Sequence, residues 1–366
     1  MKLSRRAVLL GGAAFLPRLG AAARIHEVRV ISQRPSFYHG WPTLARRRNG
    51  ELLVVSSGGR EAHVWPFGWV ELMRSRDDGR TWSWPEVLMD TAIDDRDAGV
   101  CETAQGSILV TTFTSLAYEP LLEKTSNVEA WQAAHRRLDA AQRNAMLGTW
   151  MIRSAGGGAT WSAPYRVPVN SPHGPIQLHD GRLLYAGKEL WTEERRNGVA
   201  ESADDGRTWR WLAAIPTRPR DNQRDYHELH AVEMAKGALI VHIRNHNKAN
   251  ERETLQSEST DGGKTWTTPH PIGVWGLPSH LLRLRDGRLL MSYGHRRRPF
   301  GNHARLSADD GRTWSEPMSL SEDGAGGDLG YPSTVELGDG ALLTVWYELL
   351  AGSTRAVLRQ ARWSIA

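Results

Sequence analysis

Ser75-Arg76-Asp77-Asp78-Gly79-Arg80-Thr81-Trp82 decides the fold, because the same Ser-x-Asp-x-Gly-x-Thr-Trp pattern returns three more times. The further copies run Ser202–Trp209, Ser259–Trp266 and Ser307–Trp314, and a degenerate one runs Ser154–Trp161 with Gly156 where the aspartate belongs. Each member has a mechanical task. Ser and Asp side chains bond backbone N–H groups inside a tight turn. The Gly takes a left-handed conformation that a side chain resists. The Trp is expected to pack its ring between the strands of its own hairpin.

A second repeat, a turn followed by an apolar strand, interleaves with the first. Its copies begin at Asn49-Gly50, Gln105-Gly106, Asp180-Gly181, Lys236-Gly237, Asp286-Gly287 and Asp339-Gly340, and each leads into a run such as Glu51-Leu52-Leu53. Asn-Gly and Asp-Gly between hydrophobic runs are strong hairpin signals. From the turn Gly to the next box Ser the spacings are 25, 48, 21, 22 and 20 residues. Each unit therefore reads as one four-stranded blade, and six turns predict an all-β, six-bladed β-propeller. The long spacing is explained by Glu119–Met146, where Val128, Trp131, Ala134, Leu138 and Ala141 recur at helical period. That predicts a helical insertion (119–146) in blade two. The sixth unit lacks a box, so its fourth strand is expected from the N-terminal segment Ile25–Ile31, which closes the ring.

The N-terminus is read apart from the fold. Ser4-Arg5-Arg6 precedes an apolar run, Ala7–Leu16, and then Gly20-Ala21-Ala22-Ala23. This is the layout of an export signal over residues 1–23, and the run is shorter than the roughly 20 residues a membrane span needs. The paired arginines resemble a twin-arginine signal; an ordinary secretory signal is the alternative. The expected location is periplasmic or secreted, with residues 24–366 as a single propeller domain. The chain carries +5, but Lys2, Arg5, Arg6 and Arg18 lie in the signal, so the remainder is near +1. That balance gives no reason to expect nucleic acid or an anionic membrane surface as a partner. The single Cys101 leaves no internal disulfide.

Function is expected on the propeller axis, where the innermost strands begin. Nine residues before each turn Gly stand Trp41, Asp97, Pro172, Glu228, Pro278 and Tyr331, with His39, Arg96, His173, His227 and His280 beside them. So many titratable groups at one register define a candidate site.

The boxes and blades resemble the sialidase superfamily of glycoside hydrolases over nearly the whole chain after residue 23. Glu228-Leu229-His230-Ala231-Val232-Glu233, a Gly turn and Arg244 resemble that family's pairing of a catalytic Glu with the second arginine of its triad. Gly330-Tyr331-Pro332-Ser333, leading through Asp339-Gly340 to Tyr347-Glu348, resembles the segment carrying its nucleophilic tyrosine. Asp97 falls where the family carries an acidic residue at the start of blade two. The pattern also departs from the family. Gly40-Trp41-Pro42 stands where sialidases read Arg-Ile-Pro, so the first arginine is missing. His63 stands where the general-acid aspartate is expected. Asn302 falls near the third arginine's place, with Arg296, Arg297, Arg298 and Arg305 close by.

The resemblance implies an exo-acting retaining glycosidase with Tyr331 as nucleophile, Glu228 as its base and His63, or else Asp97, as general acid. Arg96, Arg244, His39, Trp41, His173, His227 and His280 are the candidate substrate-binding residues. A tyrosine hydroxyl, with pKa near 10, is a poor nucleophile until a neighbouring carboxylate takes its proton. Trp65, Phe67 and Trp69 form either a stacking wall for a sugar or the core of a blade-one strand. The expected partner is an oligosaccharide or glycoconjugate, with no cofactor and no metal. Two other classes remain open: a non-catalytic carbohydrate-binding propeller, and a lyase or metal-assisted enzyme using the axial histidines.

Overall fold

A computed structural model describes residues 21–248 and 253–366. The expected export signal falls mostly on residues 1–20, outside the described residues. Six antiparallel four-stranded sheets stand as blades around one axis. Blade one runs Tyr38–Arg46, Leu52–Arg60, Trp69–Ser75 and Glu86–Met89 from inside to outside. Blade six takes its outer strand, Ala23–Val30, from the start of the described chain, paired with Ala356–Ile365 from its end. That closure was expected from the missing sixth box. It leaves both ends of the ring pinned by one sheet. Among the described residues no helix is long and apolar enough to cross a membrane.

The insertion in blade two holds the two α-helices of the described chain, α1 (Val128–His135) and α2 (Ala140–Met146). Asp139 opens α2 with a reciprocal cap: its carboxylate accepts from Gln142 N at 2.8 Å, and Gln142 Oε1 accepts from Asp139 N at 2.9 Å. Trp131 docks the insertion by packing edge-on against Trp65 (5.4 Å) and Tyr118 (6.4 Å).

The boxes fold as their sequence predicts, with one correction. In the first box Asp77 accepts from Thr81 N at 2.9 Å and Thr81 Oγ1 at 2.6 Å, while Gly79 N donates to Ser75 Oγ at 2.9 Å. Gly79 is left-handed, with φ of 80°. The box tryptophans, however, do not all stay in their own hairpins. Trp82 of blade one donates to Gln360 of blade six at 2.9 Å, and Trp314 of blade five packs on His242 of blade four at 5.3 Å. The box glycines behave alike: a Cβ on Gly79 would meet Leu343 of blade six, one on Gly206 would meet Leu109 of blade two, and one on Gly311 would meet Ile240 of blade four. Each of these boxes is a seam against the preceding blade, so the glycine answers to close approach as well as to turn geometry.

Candidate active site

The innermost strands share a local distortion that builds the site. Trp41, Asp97, Glu228 and Tyr331 all hold positive φ, at 52°, 47°, 44° and 53°. In each case the pairing with the next strand skips at that point, between Gly40 and Thr43, Arg96 and Gly99, His227 and His230, and Gly330 and Ser333. A bulge with a left-handed residue redirects a side chain that the strand's alternation would otherwise fix. The two remaining blades carry Pro172 and Pro278 at this register. The proline ring fixes φ near −65° and forbids the same bulge.

Tyr331 of blade six donates its hydroxyl proton to Glu228 Oε1 of blade four. The other oxygen of Glu228 is ion-paired with Arg244 Nη1, which also lies 3.2 Å from the Tyr331 hydroxyl. Arg244 is held from behind by His246, which accepts from its Nε at 2.7 Å. Burial opposes charge on Glu228, but the Arg244 guanidinium and the Tyr331 hydroxyl overcome it and pull the carboxyl down to about 2. Burial, together with the Glu228 charge, pushes the Tyr331 phenol well above its ordinary value. The resting proton therefore sits on the tyrosine, facing an ionised acceptor.

Cations surround this pair. Arg96 sits over Trp41, its guanidinium carbon 4.3 Å from the ring centroid, and Arg60 lies 5.0 Å from the same ring, tied to Asp94 at 2.6 and 2.9 Å. Of the arginines near Asn302, Arg296 is the one at the site: it sits 5.9 Å from the Tyr331 ring and donates to Leu329 O at 2.9 Å. Arg297 covers Trp275, Arg298 covers Phe300, and Arg305 bonds Ser315 O. Asn302 itself is fully buried against Ser321.

Asp97 and Glu228 line a cavity of about 120 Å³ together with His227, Lys188, Phe113 and Pro172. Burial raises the Asp97 carboxyl to about 7, with Arg96 opposing and Glu228 adding to the rise, and its Oδ1 has no partner among the described residues. His227 is pushed down to about 3 by burial and by Lys188. Lys188 was not expected here; it donates to Arg224 O at 2.6 Å and Tyr226 O at 2.8 Å, and burial lowers it to about 8.

His63 sits on a loop at the rim, half-exposed, with its ring edge-on to Trp41 at 5.0 Å. Its Nδ1 lies 3.0 Å from Asp328 Oδ1, and the same carboxylate accepts from the Tyr38 hydroxyl at 2.8 Å and the Tyr347 hydroxyl at 2.9 Å. Burial opposes the charge on Asp328, but His63 and the two tyrosines outweigh it and hold the carboxyl below its usual range. A carboxylate on one imidazole nitrogen fixes the ring and leaves Nε2 for chemistry. Asp328 is a site residue that the sequence reading missed.

Six residues expected at the site lie elsewhere or in another role. His39 is buried in blade one against Glu71 (3.6 Å), away from the axial pair, and burial lowers it to about 4. His173 and His280 do meet, but with His230 in a closed imidazole cluster, the centroids 4.6 to 5.2 Å apart and all three rings buried and uncharged near neutrality. His230 Nδ1 accepts from Leu281 N at 2.9 Å, which spends that lone pair on the backbone. Trp65 and Phe67 are core aromatics beneath the insertion, and Trp69 packs on Phe37 and Arg34 instead of walling a sugar site. Burial closes off the three histidines, whereas the three aromatics are held by packing on neighbouring rings and on Arg34.

A ring of blades carrying a tyrosine, its carboxylate partner and an arginine on the axis defines an Asp-box propeller of the sialidase type. The family model for the BNR repeat-like domain matches residues 124–344, and the chain belongs to that family as a divergent member of the sialidase superfamily. A sialidase of Bacteroides fragilis is 26% identical over 343 residues, covering 84% of this chain and 59% of that protein. The chain thus spans about three fifths of that relative's length. A Dyadobacter fermentans protein of unknown function superposes with a TM-score of 0.77 at 23% identity, covering 94% of this chain and all of its own. The Hadza microbial sialidase Hz136 superposes with a TM-score of 0.64 at 18% identity, over 90% of this chain and 65% of its own.

Proposed function

We propose that the protein is an exo-acting retaining glycosidase working through a tyrosyl intermediate on a terminal, acidic sugar. The observation that carries the reading is the hydrogen bond from the Tyr331 hydroxyl to an ionised Glu228 that is itself held by Arg244. Tyr331 Oη attacks the anomeric carbon as its proton passes to Glu228 Oε1. The glycosidic bond breaks, and the departing oxygen takes a proton from His63 Nε2, whose Nδ1 is turned toward Asp328. Water then attacks the anomeric carbon with His63 as base, the Tyr331 bond breaks, and Glu228 returns the phenolic proton. A neutral nucleophile suits an anomeric carbon that bears its own carboxylate, because no like charges meet; sialidases are tyrosine exceptions to the two-carboxylate scheme.

Arg96, Arg244 and Arg296 supply the positive charge for an acidic glycone, without the first arginine of the family pattern. Asp97, protonated up to about pH 7, is suited to donate to a sugar hydroxyl from the cavity floor. In the histidine cluster His230 Nδ1 is spent on the Leu281 amide, and among the described residues no group of three or more His, Cys, Asp or Glu side chains is set to hold a metal ion. The test is turnover of an aryl α-glycoside panel, sialosides and uronides included, by protein beginning near residue 24. Release of the aryl alcohol with retained configuration is expected. Sugar binding without turnover of any panel member would instead favour a carbohydrate-binding propeller.

A further inference from the structure

We propose that the blade-two insertion builds a second carbohydrate subsite, on the leaving-group side of His63, that selects a leaving group bearing a carboxylate. This rests on the glycosidase reading only in calling that side the leaving-group side. A cavity of about 400 Å³ opens between the loop Glu61–Trp65 and the insertion, where Lys124, Asn127 and Trp131 line it. That volume falls within the roughly 300–1,000 Å³ of small-molecule sites. It is larger than the cavity of about 120 Å³ beside Glu228, and His63 stands on its wall. The same histidine touches Trp41 and, through Asp328 and Tyr347, connects to the Tyr331 ring at 5.7 Å. A general acid must stand at the scissile oxygen. The sugar under attack then lies on the Tyr331 side of His63, and what departs lies on the insertion side.

The chemistry of this second cavity differs from that of the axis. Its floor is Trp65 and Trp131, buried and packed together, and the indole N–H of Trp131 has no acceptor among the described residues. Its rim is polar. Glu61 and Arg355 answer one another, Nη2 to Oε2 at 3.4 Å, with the Glu61 carbonyl accepting from Arg355 Nη1. Lys124 is exposed and makes no ion pair among the described residues. One uncompensated ammonium over a rigid floor selects an anionic group, and the floor is rigid because the insertion's own apolar residues close over Ile93 and Tyr118.

The experiment titrates methyl glucuronide and methyl glucoside into the protein by saturation-transfer NMR. The parent is compared with Lys124→Ala, Lys124→Arg, Arg244→Ala and Tyr331→Phe. Methyl glucuronide is expected to bind tighter than methyl glucoside, with Lys124→Ala weakening the glucuronide alone, by about tenfold, the scale of one charge-assisted hydrogen bond. Lys124→Arg retains the preference. Equal binding of the two sugars, or glucuronide binding that ignores Lys124→Ala and disappears in Arg244→Ala, would overturn the proposal. Tyr331→Phe leaves glucuronide binding intact even though turnover is lost. A chain with no hydrolytic activity but Lys124-dependent glucuronide binding would therefore sink the glycosidase reading and keep the site.

Discussion

Replacing Tyr331 by Phe removes one oxygen from the centre of the site and very little else. The ring keeps its contacts with Tyr347 at 5.7 Å and Arg296 at 5.9 Å, and its φ of 53° is equally strained for either residue. Glu228 loses one partner but keeps Arg244, so no buried carboxylate is left unpaired. The lost hydrogen bond to a charged group is worth about 1.5–3 kcal/mol, reduced because the buried phenol no longer has to be desolvated. With roughly 2–4 °C per kcal/mol for domains of 150–250 residues, and less for a longer chain, the melting temperature should fall by a few degrees at most. Turnover should behave differently. Without the attacking oxygen the covalent route is closed, and a drop in kcat/KM of at least about a thousandfold is expected, equivalent to about 4 kcal/mol of transition-state stabilisation. Initial rates on the best aryl glycoside give the activity, and differential scanning fluorimetry gives the stability. A fluorinated substrate analogue followed by peptide mass mapping should place the trapped adduct on Tyr331 in the parent and on no residue in the variant. A variant that keeps its rate within about tenfold of the parent, on a substrate the parent cleaves, refutes the tyrosyl mechanism.

His63→Ala should slow substrates with poor leaving groups far more than activated aryl glycosides, by about a hundredfold or more against less than tenfold, since only the former need a proton at departure; equal losses on both would remove His63 from the acid role. Asp97→Asn should flatten the pH dependence of stability. The carboxyl titrates at about 7 in the fold against about 3.9 in the unfolded chain, so between these values the folded state holds a proton the unfolded state has released, and stability falls as pH rises. The variant should therefore melt higher than the parent at pH 8 and close to it at pH 4, and a variant melting lower at pH 8 contradicts this. Glu228→Gly should be more stable than Glu228→Ala by about 1 kcal/mol, because both lose the same contacts while only Gly tolerates φ of 44° without strain. In an ordinary strand the order is reversed by about 0.5–1 kcal/mol, so chemical denaturation of the two variants tests the bulge directly.

The repeats made the blades legible because each has a local cause. A turn needs its Gly and an apolar strand follows it, so six turns count six blades without any knowledge of contacts. The register nine residues before each turn Gly located Trp41, Asp97, Glu228 and Tyr331, all four of the left-handed bulge residues. A second register lies on the other side of each turn. Seven residues after the same glycines stand Ser57, Phe113, Lys188, Arg244, Gly294 and Tyr347. Ser57 accepts from Asp97 N, Phe113 and Lys188 line the small cavity, Arg244 holds Glu228, and Tyr347 holds Asp328. Lys188 and Tyr347 were therefore within reach of the repeat. Asp328 was not, because it lies in the segment entering blade six, outside both registers, and only the fold brings it to His63 from 265 residues away. The choice among Arg296, Arg297 and Arg298 was closed for a similar reason: adjacent side chains diverge, and only tertiary packing decides which one faces Tyr331. His39 misled because the pairing of its strand skips on both sides of Gly40, so the two-residue alternation that would put His39 on the face of Trp41 does not hold there.

The four bulges also say where the ring spends its stability. A non-glycine residue in the left-handed region costs on the order of 1–3 kcal/mol and persists only where its surroundings over-determine it. Here the surroundings are the paired strands on either side, which resume register within two or three residues. If these positions served packing alone, glycine or asparagine would hold the same backbone at less cost. Instead they carry a tryptophan, an aspartate, a glutamate and a tyrosine, each with its side chain committed to another blade or to the cavity. Trp41 lies under Arg96 of blade two, Asp97 lines the cavity with groups of blades three and four, and Glu228 of blade four and Tyr331 of blade six bond each other. The prolines of blades three and five cannot take part, and the cavity beside Glu228 opens against Pro172, where the ring has no such side chain. Strain concentrated on four chemically distinct residues, with an opening where the fifth is a proline, is the pattern of a functional site. A scaffold that only closed its ring would have no use for it.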